Sequence, residues 1–213
     1  IITNDEGNQT TAIGHQALYS QNMASSTTTA NVGVGHKVGY YNITGTKNTW
    51  LGYQAGLGAS DQSNSNNVGI GYQTLSSITT GNNNTALGYS AAGAVTSGYN
   101  NVTIGVDAGV AMTDVDGTVL IGANAGESIN SSDADGTVAI GYHAGKSITS
   151  GQKNTIIGYQ AGDALQTGDS VTIIGYQAGS ALTTVGEQGT TLIGALAGQS
   201  LTSGPYNTAI GRA

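Results

Sequence analysis

Four aspartates stand in two matching frames, "TDVDG" at 113–117 and "SDADG" at 132–136. Asp114 and Asp133 lie eight residues before a glycine that follows an aliphatic residue, and Asp116 and Asp135 lie six before it. Side by side, the two segments would bring four carboxylates to one edge. Like charges a strand apart repel, so they either splay into water or share a cation, and Ca²⁺ favours such oxygen clusters. The plainer reading is a pair of solvated turns, and the glycine-rich Ca²⁺-binding repeat GGxGxDx is absent. Two carboxylates are also what glycoside hydrolysis needs. These, however, sit in turn sequences with no sign of a cleft or of a carboxyl kept from water.

Aromatic residues recur just as regularly. Tyr53, Tyr72, Tyr89, Tyr142, Tyr159 and Tyr176 each follow such a glycine, with His15 and His36 at the same place. Stacked copies would bring the rings about 4.8 Å apart, as an offset aromatic ladder. Its plain role is packing; its functional role would be contact with the apolar face of a sugar. His15 and His36 alone make an incomplete metal set. The turn hydroxyls Thr79, Thr80, Thr149, Ser150, Thr183 and Thr184 form an array of the kind that ice-binding faces use, but Asp114, Asn130 and Gln166 interrupt it. No phosphate-loop, nucleophile-elbow or zinc-protease motif is present.

The element that must position these residues is a repeat. Its anchors are Gly14, Gly35, Gly52, Gly71, Gly88, Gly105, Gly122, Gly141, Gly158, Gly175, Gly194 and Gly211. Most intervals are seventeen residues; three are nineteen and one is twenty-one. The residue before each anchor is Ile, Leu or Val, and the third before it is Thr or Val. That alternation predicts a strand. Asn recurs four before the anchor, Ala three after it and Gly four after it. A second apolar residue, such as Ile78, Met112 or Leu165, stands seven after it, usually followed by a polar turn.

The expected fold is all-β: a parallel β-roll or β-solenoid of about twelve coils with two strands in each. One repetitive domain covers 1–213, with 1–9 as a lead-in and 10–213 as repeats. The longer coils should place their extra residues in surface loops. The interior of each coil is expected to hold little beyond one Ile, one Leu and some Ala or Val.

Composition agrees and narrows the function. Of 213 residues, 35 are Gly, and Cys and Phe are absent. A net charge of −7 with five Lys and Arg argues against nucleic acid as a partner. No apolar run is long enough for a membrane helix. The start "IITNDEGNQTT" shows neither an initiator Met nor a signal-peptide pattern, which reads as a fragment or processed product. Such a thin interior predicts association of several chains as a homotrimer, intertwined or side by side. The recurrent small residues would let backbones approach across the interface.

Segments such as "IGHQALYSQ" at 13–21 and "TTGNNNTALGYSAAG" at 79–93 resemble the repeats of bacteriophage tail-fibre and related virion appendage proteins. The chain is also similar to the "NSVAIG" repeats in the heads of trimeric autotransporter adhesins. Either resemblance implies a structural, non-enzymatic trimer without a cofactor, Ca²⁺ being the one ion the carboxylates could take. The first implies a rigid shaft segment on a virion, outside the cell, with other tail or fibre proteins as neighbours and a host-surface glycan as a possible contact. The second implies a head domain displayed on a bacterial cell surface. Tail-fibre repeats of this kind are often followed by a chaperone domain that cleaves itself away.

Overall fold

A computed structural model describes residues 9–22, 29–59, 63–185 and 189–213 of the protein. Twelve three-residue strands end on the residue before each anchor glycine. They are β1 (Thr11–Ile13), β2 (Val32–Val34), β3 (Thr49–Leu51), β4 (Val68–Ile70), β5 (Thr85–Leu87) and β6 (Val102–Ile104). The second half holds β7 (Val119–Ile121), β8 (Val138–Ile140), β9 (Thr155–Ile157), β10 (Thr172–Ile174), β11 (Thr191–Ile193) and β12 (Thr208–Ile210). All twelve form one parallel sheet in sequence order. Equivalent residues pair across every step, as in Thr85↔Val102 and Leu87↔Ile104. The repeat is therefore a β-solenoid, each motif lying on the previous one. At about 4.8 Å per coil, eleven steps give a rod of about 50–55 Å.

Why glycine at the anchor? The chain leaves the strand at φ +136 at both Gly88 and Gly105, and a Cβ on Gly88 would fall on the carbonyl oxygen of Gly105. The close backbone approach expected between chains is made here between successive coils of one chain. The recurrent Ala is likewise interior: Ala91, Ala108, Ala125 and Ala144 are fully buried.

Among the described residues, the second strand expected in each coil does not form. After the anchor the backbone turns left-handed twice, for example at Gln73 (φ 53) and Leu75 (φ 48), which is incompatible with an extended chain. The second of these positions is the one usually held by Gly, which tolerates it without strain. Hydrogen bonds between coils nevertheless continue, as in Leu75 N–H to Ala91 O (3.2 Å) and Ser77 N–H to Gly93 O (3.1 Å). Isolated bridges Thr167↔Thr184 and Thr184↔Ser203 lie just beyond the apolar position, in the turn that follows it.

One longer coil places extra residues in described structure: a single 3₁₀ turn, Ser132–Ala134, capped by Ser131. The other three, like the lead-in up to residue 8, include residues outside the described set.

The sheet is turned the opposite way from the expected one. In β2 to β11 the middle residue of the strand is buried, while the Thr/Val and Ile/Leu/Val that flank it face outward, partly or largely exposed. Trp50, Ala86, Leu120, Ala139, Ile156, Ile173 and Leu192 fill the interior at this position. They meet the apolar residue seven after the anchor: Ile78, Val95, Met112, Ile129, Ile148, Leu165 and Leu182 are all fully buried. Period-two alternation says which residues share a face and is silent on which face is inside. The inward position varies because neighbouring coils share space. Trp50, for instance, lies between Gly33 and Gly69 at the equivalent positions.

Candidate functional site

Along the outward sheet face run three columns: the Thr/Val column, the Ile/Leu/Val column and, across the anchor, the aromatic column. Each rises one residue per coil. Leu51 and Leu87 are 45% and 43% exposed, which is high for leucines in the middle of a sheet. None of the twelve Asp and Glu falls in these columns, and Arg212 is their one Lys or Arg. The face is repetitive and almost uncharged on a chain of net charge −7.

The aromatic column is a real stack in two sections. His15, His36, Tyr53, Tyr72 and Tyr89 follow one another with ring centroids 5.1–5.2 Å apart and planes within 13°. Tyr142, Tyr159 and Tyr176 make the second section at 5.2 and 5.6 Å. Between the sections the position is held by Val106 and Ala123. The rings turn their faces to one another along the rod and their edges outward. Within a section, then, no face is free for the apolar side of a sugar, and packing accounts for the ladder. His143 lies flat against Tyr142 at 3.8 Å. Burial, with the nearby Lys146 charge, holds its imidazole below the usual range.

The four aspartates come to neighbouring coils but do not converge. Asp116 Oδ1 accepts the Tyr99 N–H and Asp135 Oδ1 the Asp116 N–H, both at 2.8 Å. Each carboxylate thus caps the backbone of the preceding coil. Asn82 and Asp169 do the same for Ser65 and Gln152, at 2.7 and 2.9 Å. Asp114 and Asp133 are exposed on the other side of the buried Val115 and Ala134. Among the described residues no group of three or more His, Cys, Asp or Glu is placed to hold a metal ion. Asp116 and Asp135 are thus engaged by backbone N–H groups, and among the described residues the His15–His36 pair has no third His, Cys, Asp or Glu grouped with it. Crowding still registers electrostatically. Desolvation first, then the charges of Asp116, Asp114 and Asp133, push the Asp135 carboxyl above its ordinary range. The Tyr99 phenol is pushed up by its hydrogen bond to Asp116.

Three of the six turn hydroxyls are spent within the fold. Thr79, Thr149 and Thr183 donate their hydroxyls to carbonyls of the next coil, Thr96, Gln166 and Thr202, at 2.9, 3.2 and 3.0 Å. On the same side a hollow of about 340 Å³ is lined by Asp133, Ser150, Gln152, Thr167 and Asp169. Of its two carboxylates, Asp169 is already bound to the Gln152 N–H.

Three features lie beyond what the motif reading assigned. The recurrent Asn is a buried amide ladder, described below. Tyr19 and Tyr40 form a second stack at 5.1 Å, with Lys37 Nζ 5.6 Å from the Tyr40 ring centroid. Glu127 and Lys146, five after their anchors on adjacent coils, form an ion pair at 3.4 Å. Each was visible as residues at equal offsets, but offset alone does not say what a side chain touches. No protein-family model, no curated protein and no solved structure matches this chain.

Proposed function

We propose that the protein is a structural element without enzymatic activity: a rigid shaft segment of a bacteriophage tail fibre or similar virion appendage, working outside the cell as a homotrimer. One observation carries this reading, the outward sheet face. Its Ile/Leu/Val column stays partly open to water along the whole rod, most at Leu51, Leu87 and the two ends, and acidic residues are kept out of it. Large contiguous apolar patches on a surface mark association sites. Three columns about 6.6 Å apart along rows about 4.8 Å apart offer roughly 800 Å² per chain, the share each partner gives to a standard interface. Stiffness follows from the fold, because hydrogen bonds between every pair of coils run parallel to the rod axis.

Sedimentation equilibrium with small-angle scattering tests this reading. The expected result is a particle of three times the chain's 21.2 kDa, with an axial length matching one rod. A monomer at micromolar concentration would remove the support for the shaft assignment.

A further inference from the structure

We infer that the gap in the aromatic column between Tyr89 and His143, floored by Val106, is a binding slot for one flat aromatic ring carrying a positively charged arm. It is built by a single chain and does not rest on the association proposed above. The column reads Tyr89, Val106, Ala123, Tyr142 along four successive coils. It lies past the anchor, where the backbone enters its left-handed turn at residues such as Asp107 (φ 53), and so at the margin of the outward face.

Coil spacing puts Tyr89 and Tyr142 about 14 Å apart. His143 narrows that gap from one side. Its ring lies 3.8 Å from Tyr142 and nearly parallel to it, and the opposite face of Tyr142 is already covered by Tyr159. His143 therefore stands on the side of Ala123. Exposure agrees. Tyr142, whose neighbour in the column is only Ala123, is 44% exposed, close to the doubly stacked Tyr72 at 43%, whereas Tyr89 beside Val106 rises to 51%. What remains between Tyr89 and His143 is about 10–11 Å, or two steps of a ladder whose rungs are 5.1–5.6 Å apart. The slot is thus one ring short of a continuous stack. A flat guest at its midpoint would meet two aromatic faces at the spacing the column itself uses.

Charge selects among flat guests. Asp107 follows Val106 at the offset from which His143, in its own coil, reaches over the column. Asp107 is half-buried, and among the described residues its carboxylate has no hydrogen bond or ion pair. An ammonium arm on the guest gives that carboxylate a partner, and the face of Tyr89 attracts a cation as well. The wall opposite does not oppose it. Burial and the Lys146 charge hold the His143 imidazole below its usual range, hence uncharged at neutral pH, and Lys146 itself is paired with Glu127. The net charge of −7 draws cations toward the chain. An anionic ring of the same shape would meet Asp107 as a like charge.

Titration of the full chain with phenethylamine, followed by proton NMR, tests the slot. The expected result is a saturable shift of the guest's ring protons with one site per chain. The anion phenylpropionate, of similar shape, should bind about tenfold more weakly. Val106→Tyr supplies the missing rung and should abolish the site. Tyr holds this exposed position in six other coils, so the filled chain should fold, as circular dichroism would verify. Asp107→Asn keeps the shape of the slot and should remove most of the preference for the amine. The inference is overturned by no saturable binding, by an anion that binds as tightly as the amine, or by a filled chain that still binds it. An Asp107→Asn chain with the full preference intact, or a methyl glucoside that binds more tightly than the amine, would overturn it equally.

Discussion

The indole of Trp50 lies against Gly69 of the next coil, where a Cβ would come within 2.7 Å of the ring. Gly39 and Gly56 complete the cage, and the only tryptophan of the chain is fully buried inside it with its Nε1 unpartnered. One large side chain thus occupies room that three coils share. This arrangement predicts strong coupling. Gly69→Ala should cost about 1–3 kcal/mol by overpacking, and most of that cost should vanish in a Trp50→Leu background. Urea unfolding followed by circular dichroism on the four chains of the cycle would give the coupling energy. A value below about 0.5 kcal/mol would show that the two residues act independently.

The buried amide ladder is the second target. Asn84 Oδ1 accepts the Asn101 N–H (3.1 Å) and Nδ2 (3.0 Å), and Asn84 Nδ2 donates to Gly98 O (2.8 Å). Asn31, Asn48 and Asn67 repeat the backbone cap one coil at a time, at 2.8–2.9 Å. Asn84→Ala strands a buried N–H and a buried carbonyl together, so a loss of about 2–4 kcal/mol is expected. Asn84→Thr should lose roughly half as much, because Thr137 and Thr190, at the same offset, still donate to the facing carbonyls of Gly151 and Gly204. Denaturant midpoints of the two variants, compared at equal slope, provide the measurement.

The aromatic stack should respond to position. Tyr72 stacks on Tyr53 and on Tyr89, whereas Tyr176 ends its section on Tyr159 alone. At about 0.5–1.5 kcal/mol per aromatic pair, Tyr72→Ala should cost about twice what Tyr176→Ala costs. Equal losses in thermal unfolding would mean that exposure, and not stacking, governs the column.

Two carboxyls sit above their ordinary range. For Asp163 the first cause is burial, and its Oδ1 has no hydrogen-bond partner; for Asp135 it is also burial, with three aspartates nearby. A carboxyl raised in the folded state binds its proton more tightly there than in the unfolded chain. Stability should therefore rise as pH falls from neutral through the raised values, and level off near the ordinary carboxylate value. Asp135→Asn with Asp163→Asn keeps the Oδ1 acceptor at residue 135 while removing both charges. That variant should melt higher than the parent at neutral pH and show a flatter midpoint-versus-pH curve. A midpoint that drops over the same interval in the parent would contradict the sign.

Calcium offers a direct check on the "TDVDG" and "SDADG" turns. With Asp116 and Asp135 bound to backbone N–H groups, millimolar Ca²⁺ should move the melting midpoint by no more than about 1 °C relative to EDTA. Any ligand selective for the folded state raises that midpoint by mass action. A rise of several degrees, lost in Asp114→Asn with Asp133→Asn, would restore the shared-ion reading.

The spacing of Gly14 to Gly211 was enough to define a solenoid, its coil number, and which residues stack on which, because a repeat that must hydrogen-bond to itself fixes register by counting. Column membership of Tyr53 or Asp116 followed from the same count. Which way each column faces did not follow. Ile104 and Val102 share a side in any strand, but only the path of the turns decides that Thr103 points inward and they point out. Nor could counting show that Asp116 and Asp135 would be held by N–H groups of the preceding coil. That depends on the left-handed turns between strands, whose φ angles arise from coils packing against each other and not from any one copy of the motif. The sequence by itself determined the column; the tertiary structure alone decided its inside and its outside, since burial is a property of the closed coil.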